Sequence, residues 1–372
     1  MKILYVTTVS STTGFFTSHI NMLLDQGHSV DFACNVTTQL NQRLLSRGCK
    51  VFQVGFSRFP LESSNMRSYK KIKLLLLSEK YDVVHVHTPI AAAITRLAAK
   101  KFPHIKVMYT AHGFHFYRGA PLVNWIIYYP IEKYLARYTD FLITINQEDY
   151  KRAQRKFKAK KIVYVPGVGI DIKKFNNISV DRDIKRTELG IRKDSYVIVS
   201  VGELNKNKNH SAIIKALKKI NNPNILYIIC GVGPLKEIIN DLVDNLELNS
   251  QVKLLGYRSD IPEILKASDL FVFPSFREGL SVSLMEAMAV GLPCVVSDIR
   301  GNRDLIDERG GILFDPYSTE SCKSAIKLLL GSEGKLMGSY NQEKIKKFSS
   351  DKVLTHISYL YRVCTESVRV RQ

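Results

Sequence analysis

Short apolar runs alternate along the chain with stretches whose apolar residues recur at helical spacing. In the first half, residues 3–7, 29–34, 51–54, 83–87, 107–110, 141–144 and 162–165 read as strands, and 16–26, 69–79 and 90–100 as intervening helices. The strands are apolar throughout rather than at every second position. Both of their faces must therefore be covered, as in a parallel sheet between helix layers. Near residue 165 the pattern restarts. Pro166-Gly-Val-Gly169 and a polar stretch, 171–194, lead to further strands at 196–201, 226–230, 252–255, 270–273 and 294–297. This predicts an α/β chain of two Rossmann-like, doubly wound domains, 1–166 and 167–350. The last segment, 351–372, reads as a helix with Leu354, Ile357, Leu360, Tyr361 and Val363 on one stripe, expected to pack back on the first domain. Open α/β sheets bind ligands at the carboxyl ends of their strands, so both domains are expected to face a central cleft.

Length agrees with two domains, because a single core rarely grows to 372 residues. The opening Met-Lys-Ile-Leu-Tyr-Val reads as a first buried strand rather than a signal peptide. No run reaches the roughly 18 apolar residues of a membrane span. The six cysteines lack metal or disulfide spacing and read as buried thiols of a reducing compartment.

Net charge changes the picture more. Residues 1–165 carry 24 Lys and Arg against 9 Asp and Glu, a surplus of 15, whereas the remainder carries 30 against 25. A basic first half attracts polyanions, either nucleic acid or anionic lipid. Without an RNA-binding motif or an aromatic–basic platform, a non-catalytic nucleic-acid binder is the weaker reading.

Candidate chemistry concentrates in the segment from Pro274 to Pro293. A strand ends at Phe273, a small-residue loop follows, and a helix begins at Val282. Backbone N–H groups at such a helix start suit a diphosphate. Glu278 in the loop could accept from sugar hydroxyls, and Glu286 on the helix from a ribose diol. Two glutamates by themselves would more often be a helix cap and a solvated surface residue.

The wider context resembles the retaining GT-B glycosyltransferases of family 4. That family carries two glutamates separated by seven residues, and this chain has Glu278-Gly-Leu…Glu286-Ala-Met-Ala-Val-Gly-Leu-Pro-Cys-Val-Val296. The resemblance implies donor-binding roles for Glu278, Gly279, Leu280, Ser281, Val282 and Glu286. It extends to Tyr257 and Arg258, whose backbone would hold the nucleotide base, and to Gly231-Val-Gly233, which alone would be a tight turn. Val201-Gly202-Glu-Leu-Asn-Lys-Asn-Lys208 resembles the family's glycine–arginine–leucine…lysine stretch. Lys208 falls on the lysine that binds the donor diphosphate, with Gly202 beside it. Glu203 departs from the pattern, because many members have arginine there. Either Lys206, Lys208 or another base supplies that charge, or Glu203 only shapes the loop.

In the first half, Thr110-Ala-His112-Gly-Phe-His115-Phe matches a family stretch whose histidine lies beside the donor sugar. The implied catalytic set is therefore His112, Glu278 and Lys208. His87, in Val84-His-Val-His-Thr-Pro89, and His115 are expected to line the acceptor side. Gly14, in Ser10-Ser-Thr-Thr-Gly14, would let backbone approach phosphate or acceptor, although a plain strand–helix turn explains it nearly as well. Asp181-Arg-Asp183 superficially matches a metal-binding pair but reads as solvated charge. Like the family in general, the chain is expected to need no metal or other cofactor.

Residues 118–138 hold the only tryptophan, Trp125, among tyrosines, Lys133 and Arg137, and a basic run, 151–161, follows. This suits an anionic membrane surface, or an ordinary helix packed on the sheet. Resemblance to bacterial polysaccharide-assembly enzymes implies a UDP-sugar donor and a polyprenyl-diphosphate-linked sugar acceptor, handled in the cytoplasm at the inner face of the plasma membrane. A UDP-sugar 2-epimerase of the same fold is the alternative.

Overall fold

The computed structural model describes residues 1–57, 59, 62–176, 178–330 and 334–369. The chain forms two compact units. One comprises Met1–Gly169 with the C-terminal segment from Asp351, the other Ile170–Ser350. The division falls three residues beyond the expected boundary because Val165 still packs in the first core, whereas Ile170 packs in the second.

The first unit is built on seven parallel strands: β1 (Lys2–Val9), β2 (Ser29–Asn35), β3 (Val51–Gln53), β4 (Val83–Val86), β5 (Lys106–Ala111), β6 (Phe141–Thr144) and β7 (Lys161–Tyr164). Their order is β3-β2-β1-β4-β5-β6-β7. Side-chain alternation divides its core into two layers. Leu4, Val6, Val84 and Val86 pack under the helices Ser64–Glu79 and Pro89–Ala99. Ile3, Tyr5, Val83 and Met108 pack under Thr17–Asp25 and the C-terminal helix Ser350–Arg369. Parallel pairing of β1, β4 and β5 puts the segments after Val9, Val86 and Ala111 along one sheet edge.

The second unit has six parallel strands: β8 (Tyr196–Val201), β9 (Ile225–Cys230), β10 (Val252–Gly256), β11 (Leu270–Phe273), β12 (Cys294–Ser297) and β13 (Gly311–Phe314). Their order is β10-β9-β8-β11-β12-β13. The segments after Val201, Cys230, Gly256, Phe273 and Ser297 accordingly share one edge.

Several local expectations change. The strand β13 begins at Gly311, directly after Gly310, and this glycine pair hides it among turn signals. The stretch 171–194 holds two helices, Ile172–Asn176 and Arg182–Glu188, not a plain linker. Asp181 caps the second helix, accepting from the backbone N–H of Asp183 (2.9 Å) and Ile184 (3.0 Å), so it is structural rather than merely solvated. On the C-terminal helix the buried stripe is Val353, Ile357, Leu360, Tyr361 and Cys364, with Leu354 and Val363 only half-buried. Its expected continuation at 370–372 lies outside the described residues. All six cysteines are buried. Among the described residues no helix is long and apolar enough to cross a membrane.

Candidate active site

In the second unit, the loops after β8 and β9 are zipped together by backbone. Gly202 N–H donates to Cys230 O (2.9 Å), Leu204 N–H to Val232 O (3.0 Å) and Leu235 N–H to Leu204 O (2.9 Å). The approach explains the glycines. A Cβ on Gly231 would stand 1.9 Å from Gly202 O, and one on Gly233 2.5 Å from Leu204 O. Glu203 is exposed and accepts from its neighbour Asn205 (2.8 Å), so it shapes this loop.

Lys208 rises from the same loop. Its stem passes Gly202, its Nζ lies 4.5 Å from the centre of the Phe273 ring, and it donates to Glu278 Oε1 at 2.9 Å. Glu278 is held from behind: Asn207 Nδ2 donates to Arg277 O (2.9 Å), and Phe276 N–H donates to Asn207 O (2.8 Å). Arg300, a buried guanidinium from the segment after β12, donates through Nε to Glu278 O at 3.3 Å. Close by, Gly301 packs so tightly on Gly279 that a Cβ would meet its carbonyl oxygen at 2.3 Å, at a left-handed φ of 79°. Sequence reading did not single out Arg300. Its only signal is a cation five residues beyond a buried strand residue, which is too common to be informative.

Ser281 caps the helix Val282–Ala289, accepting from Leu284 N–H at 3.3 Å. Leu280 and Val282 pack at the edge of the core. One helical turn on from Val282, Glu286 is half-buried. Burial pushes its carboxyl up to about 7, and Lys174 opposes the shift.

The same edge carries Tyr257, which is 80% exposed on the segment after β10. Arg258, expected to contribute backbone, has its side chain engaged elsewhere. Its guanidinium is forked onto Asp260 (2.8 and 2.6 Å) and reaches Glu188 (3.4 Å), which ties it within the fold. The Gly256 carbonyl is likewise engaged, by Gly231 N–H at 2.8 Å.

In the first unit the segments after β1, β4 and β5 gather a histidine cluster. His87 Nδ1 and His112 Nε2 are 3.1 Å apart. Phe16 stacks on His87 with ring centres 4.0 Å apart, and Tyr5 does so at 5.2 Å. Behind them, His85 is bonded to Tyr361 OH (2.7 Å) and Thr110 Oγ1 (2.8 Å). Burial holds His19 and His112 down to about 4, and His85 and His87 well below the usual imidazole range. All four are neutral at pH 7, so the cluster offers hydrogen bonds rather than positive charge.

His87 therefore supports His112 from the interior; it does not line a surface, because it is buried among the rings of Tyr5, Phe16, His85 and His112. His115 turns the other way and stacks on Tyr128 of the helix Leu122–Leu135 (4.6 Å). Gly14 lies in a 3₁₀ helix, Ser10–Phe16, and a Cβ there would meet nothing within 4 Å. Among the described residues no three His, Cys, Asp or Glu side chains are grouped to hold a metal ion.

Comparison with known proteins bears on the family and the fold. Residues 181–347 match the family described as glycosyl transferases group 1, and residues 2–146 match glycosyl transferase 4-like. EpsD of Bacillus subtilis (strain 168), assigned as a glycosyltransferase, is 35% identical across 84% of this chain and 83% of its own. An Escherichia coli enzyme named UDP-Gal:α-D-GlcNAc-diphosphoundecaprenol α-1,3-galactosyltransferase is 36% identical across 70% of each chain. Among solved structures, Anabaena HepE in complex with UDP and glucose superposes with a TM-score of 0.79 at 19% identity, covering 98% of this chain and 100% of that one. Sucrose-phosphate synthase of Thermosynechococcus elongatus reaches 0.82 at 17% identity, over 99% and 100%. The family matches and these relatives, together with the two parallel-sheet units, lead to one assignment: the chain is a glycosyltransferase of family 4, with the GT-B fold.

Proposed function

We propose that this glycosyltransferase moves a sugar from a UDP-sugar, with retention at the anomeric carbon, to a saccharide carried on a polyprenyl diphosphate during bacterial surface polysaccharide synthesis. The observation that carries the donor half is the Lys208–Glu278 pair, 2.9 Å apart beside the glycine loops. A donor diphosphate would draw the ammonium away from Glu278, leaving that carboxylate to accept from the sugar's hydroxyls. Glu286 would take the ribose diol. As the bond between C1 and the phosphate oxygen breaks, Lys208 would stabilise the departing diphosphate, with Arg300 behind the loop adding positive field. The acceptor hydroxyl would form its bond to C1 on the same face and pass its proton to the leaving phosphate oxygen. Catalysis is then positioning and electrostatics, with no covalent enzyme intermediate and no metal. His112 would fix the donor sugar as a neutral imidazole.

The acceptor half rests on likeness to the diphosphoundecaprenol-dependent galactosyltransferase and on the basic first half of the chain. On this reading the enzyme would work in the cytoplasm, peripherally on the inner face of the plasma membrane. A screen of UDP-sugars against polyprenyl-diphosphate-linked acceptors, with linkage analysis and an EDTA arm, tests all of this. We expect an acceptor-dependent, EDTA-insensitive, α-retained product. Release of an epimer from donor alone would instead mark a UDP-sugar 2-epimerase.

A further inference from the structure

The contact between His87 and His112 constrains where their hydrogens sit. His87 Nδ1 faces His112 Nε2 at 3.1 Å, so one of these nitrogens carries a hydrogen and the other a lone pair. Burial keeps both imidazoles neutral at pH 7, so each ring has a single N–H to place. Two arrangements satisfy the contact. In one, His87 donates from Nδ1, and His112 carries its own hydrogen on Nδ1. In the other, His112 donates from Nε2, and His87 carries its hydrogen on Nε2.

The surroundings of His87 separate the two. Its Nε2 is buried and meets no hydrogen-bonding group among the described residues. Rings pack around it instead, with centres at 4.0 Å for Phe16, 4.3 Å for His85 and 5.2 Å for Tyr5. A buried N–H without an acceptor is a rarer defect than a buried acceptor without a donor. The hydrogen of His87 therefore belongs on Nδ1, in the bond to His112. The neighbouring His85 follows the same pattern. Tyr361 OH donates to Tyr5 OH (3.2 Å), so it accepts from His85 Nδ1–H (2.7 Å), and Thr110 Oγ1 donates to His85 Nε2 (2.8 Å). His112 is only half-buried, and with Nε2 turned inward its Nδ1 is the nitrogen left for a ligand.

We propose that His87 is a positioning residue that holds His112 in its Nδ1–H form, so that His112 presents a hydrogen-bond donor, not an acceptor, to an oxygen of the donor sugar. The inference rests on the reading above that His112 fixes that sugar. It adds the residue that places the hydrogen and the kind of sugar atom that is recognised, an oxygen lone pair.

The test labels the histidines of the full-length protein with 15N and reads each tautomer by long-range 1H–15N correlation near neutral pH. The spectrum of His112→Gln identifies the signals of His112. Wild type should show His112 as Nδ1–H. His87→Phe keeps a ring in the stack but removes the donor. His112 should then lose its fixed tautomer and show shifts averaged between the two forms. For the UDP-sugar and acceptor pair found in the screen above, kcat/KM should fall about tenfold, or 1.4 kcal/mol. His87→Asn, whose side-chain amide offers N–H near the place of Nδ1–H, should recover most of both. Circular dichroism and melting temperature establish that each variant is folded. An Nε2–H His112 in wild type, or an undiminished Nδ1–H signature in folded His87→Phe, overturns the proposal. So does full turnover in His87→Phe, or an equal loss in both folded variants, which would leave His87 a packing residue. If wild type shows the Nδ1–H form but transfers no sugar from any UDP-sugar, the donor reading fails while the tautomer assignment stands.

Discussion

Lys208 and Glu278 are each other's partner here, and the chemistry proposed for them requires that partnership to break. Lys208→Ala and Glu286→Ala should each lower turnover at least roughly tenfold in folded protein, the effect of losing about 1.4 kcal/mol of transition-state stabilisation. Near-normal rates in both would remove this site from consideration. Glu286 also makes a pH-dependent claim. A carboxyl held above its unfolded value binds its proton more tightly in the native state. Its contribution to stability is therefore complete below the unfolded value and is lost as pH rises through about 7. Glu286→Gln should match wild type near pH 5 and become relatively more stable by pH 8, by on the order of 2 kcal/mol. The ionised form is the better acceptor for a diol, so donor KM should fall between pH 6 and 8 in wild type and stay flat in Glu286→Gln. A wild-type KM independent of pH would argue against ribose contact. Glu286 was legible because a long motif surrounds it. Arg300 was not, because its position beside Glu278 comes from neighbouring strands, and no local pattern records that.

Among the elements, the C-terminal helix shows how a distant segment supports the histidine cluster. Tyr361 brings its hydroxyl to His85 Nδ1 at 2.7 Å and donates to Tyr5 OH at 3.2 Å, with all three groups buried. Tyr361→Phe keeps the apolar packing and strips the imidazole of that partner. It should cost about 1–3 kcal/mol, the penalty for an unsatisfied buried polar group. Urea denaturation measures this, and an unchanged midpoint would mean that the bond contributes nothing. The strands were largely legible, because continuous apolar runs have few other uses. The helix register was less so: a stripe through Val353 and one through Leu354 differ by a single position, and only the surface of the sheet selects between them. Likewise, nothing local distinguishes a histidine that lines a site from one like His87, which is buried among four other rings.

At the scale of the molecule, the basic surplus in residues 1–165 coincides with exposed apolar side chains. Leu122, Val123 and Ile126 stand 79%, 53% and 73% exposed on a helix that also carries Lys133. Cations beside an unburied apolar face match an anionic interface. We expect the protein to sediment with vesicles rich in phosphatidylglycerol, and to be released as salt rises towards roughly 0.5 M, where charges are screened within a few ångströms. Leu122→Gln with Ile126→Gln should reduce the bound fraction further. Retention on neutral vesicles, unaffected by salt, would contradict an electrostatic contribution.

The sequence by itself determined the two α/β units, the order of most strands along the chain and the glycosyltransferase class. Each of these is written in local patterns: continuous apolar runs, helical periodicity and one long motif. Tertiary structure alone decided that Arg300 stands behind Glu278, that Arg258 is held by Asp260, and that His87 is buried beside His112. The physical reason is common to all three. Each depends on which side chains from separate strands and helices meet once the sheets are stacked, and on how much water that meeting excludes.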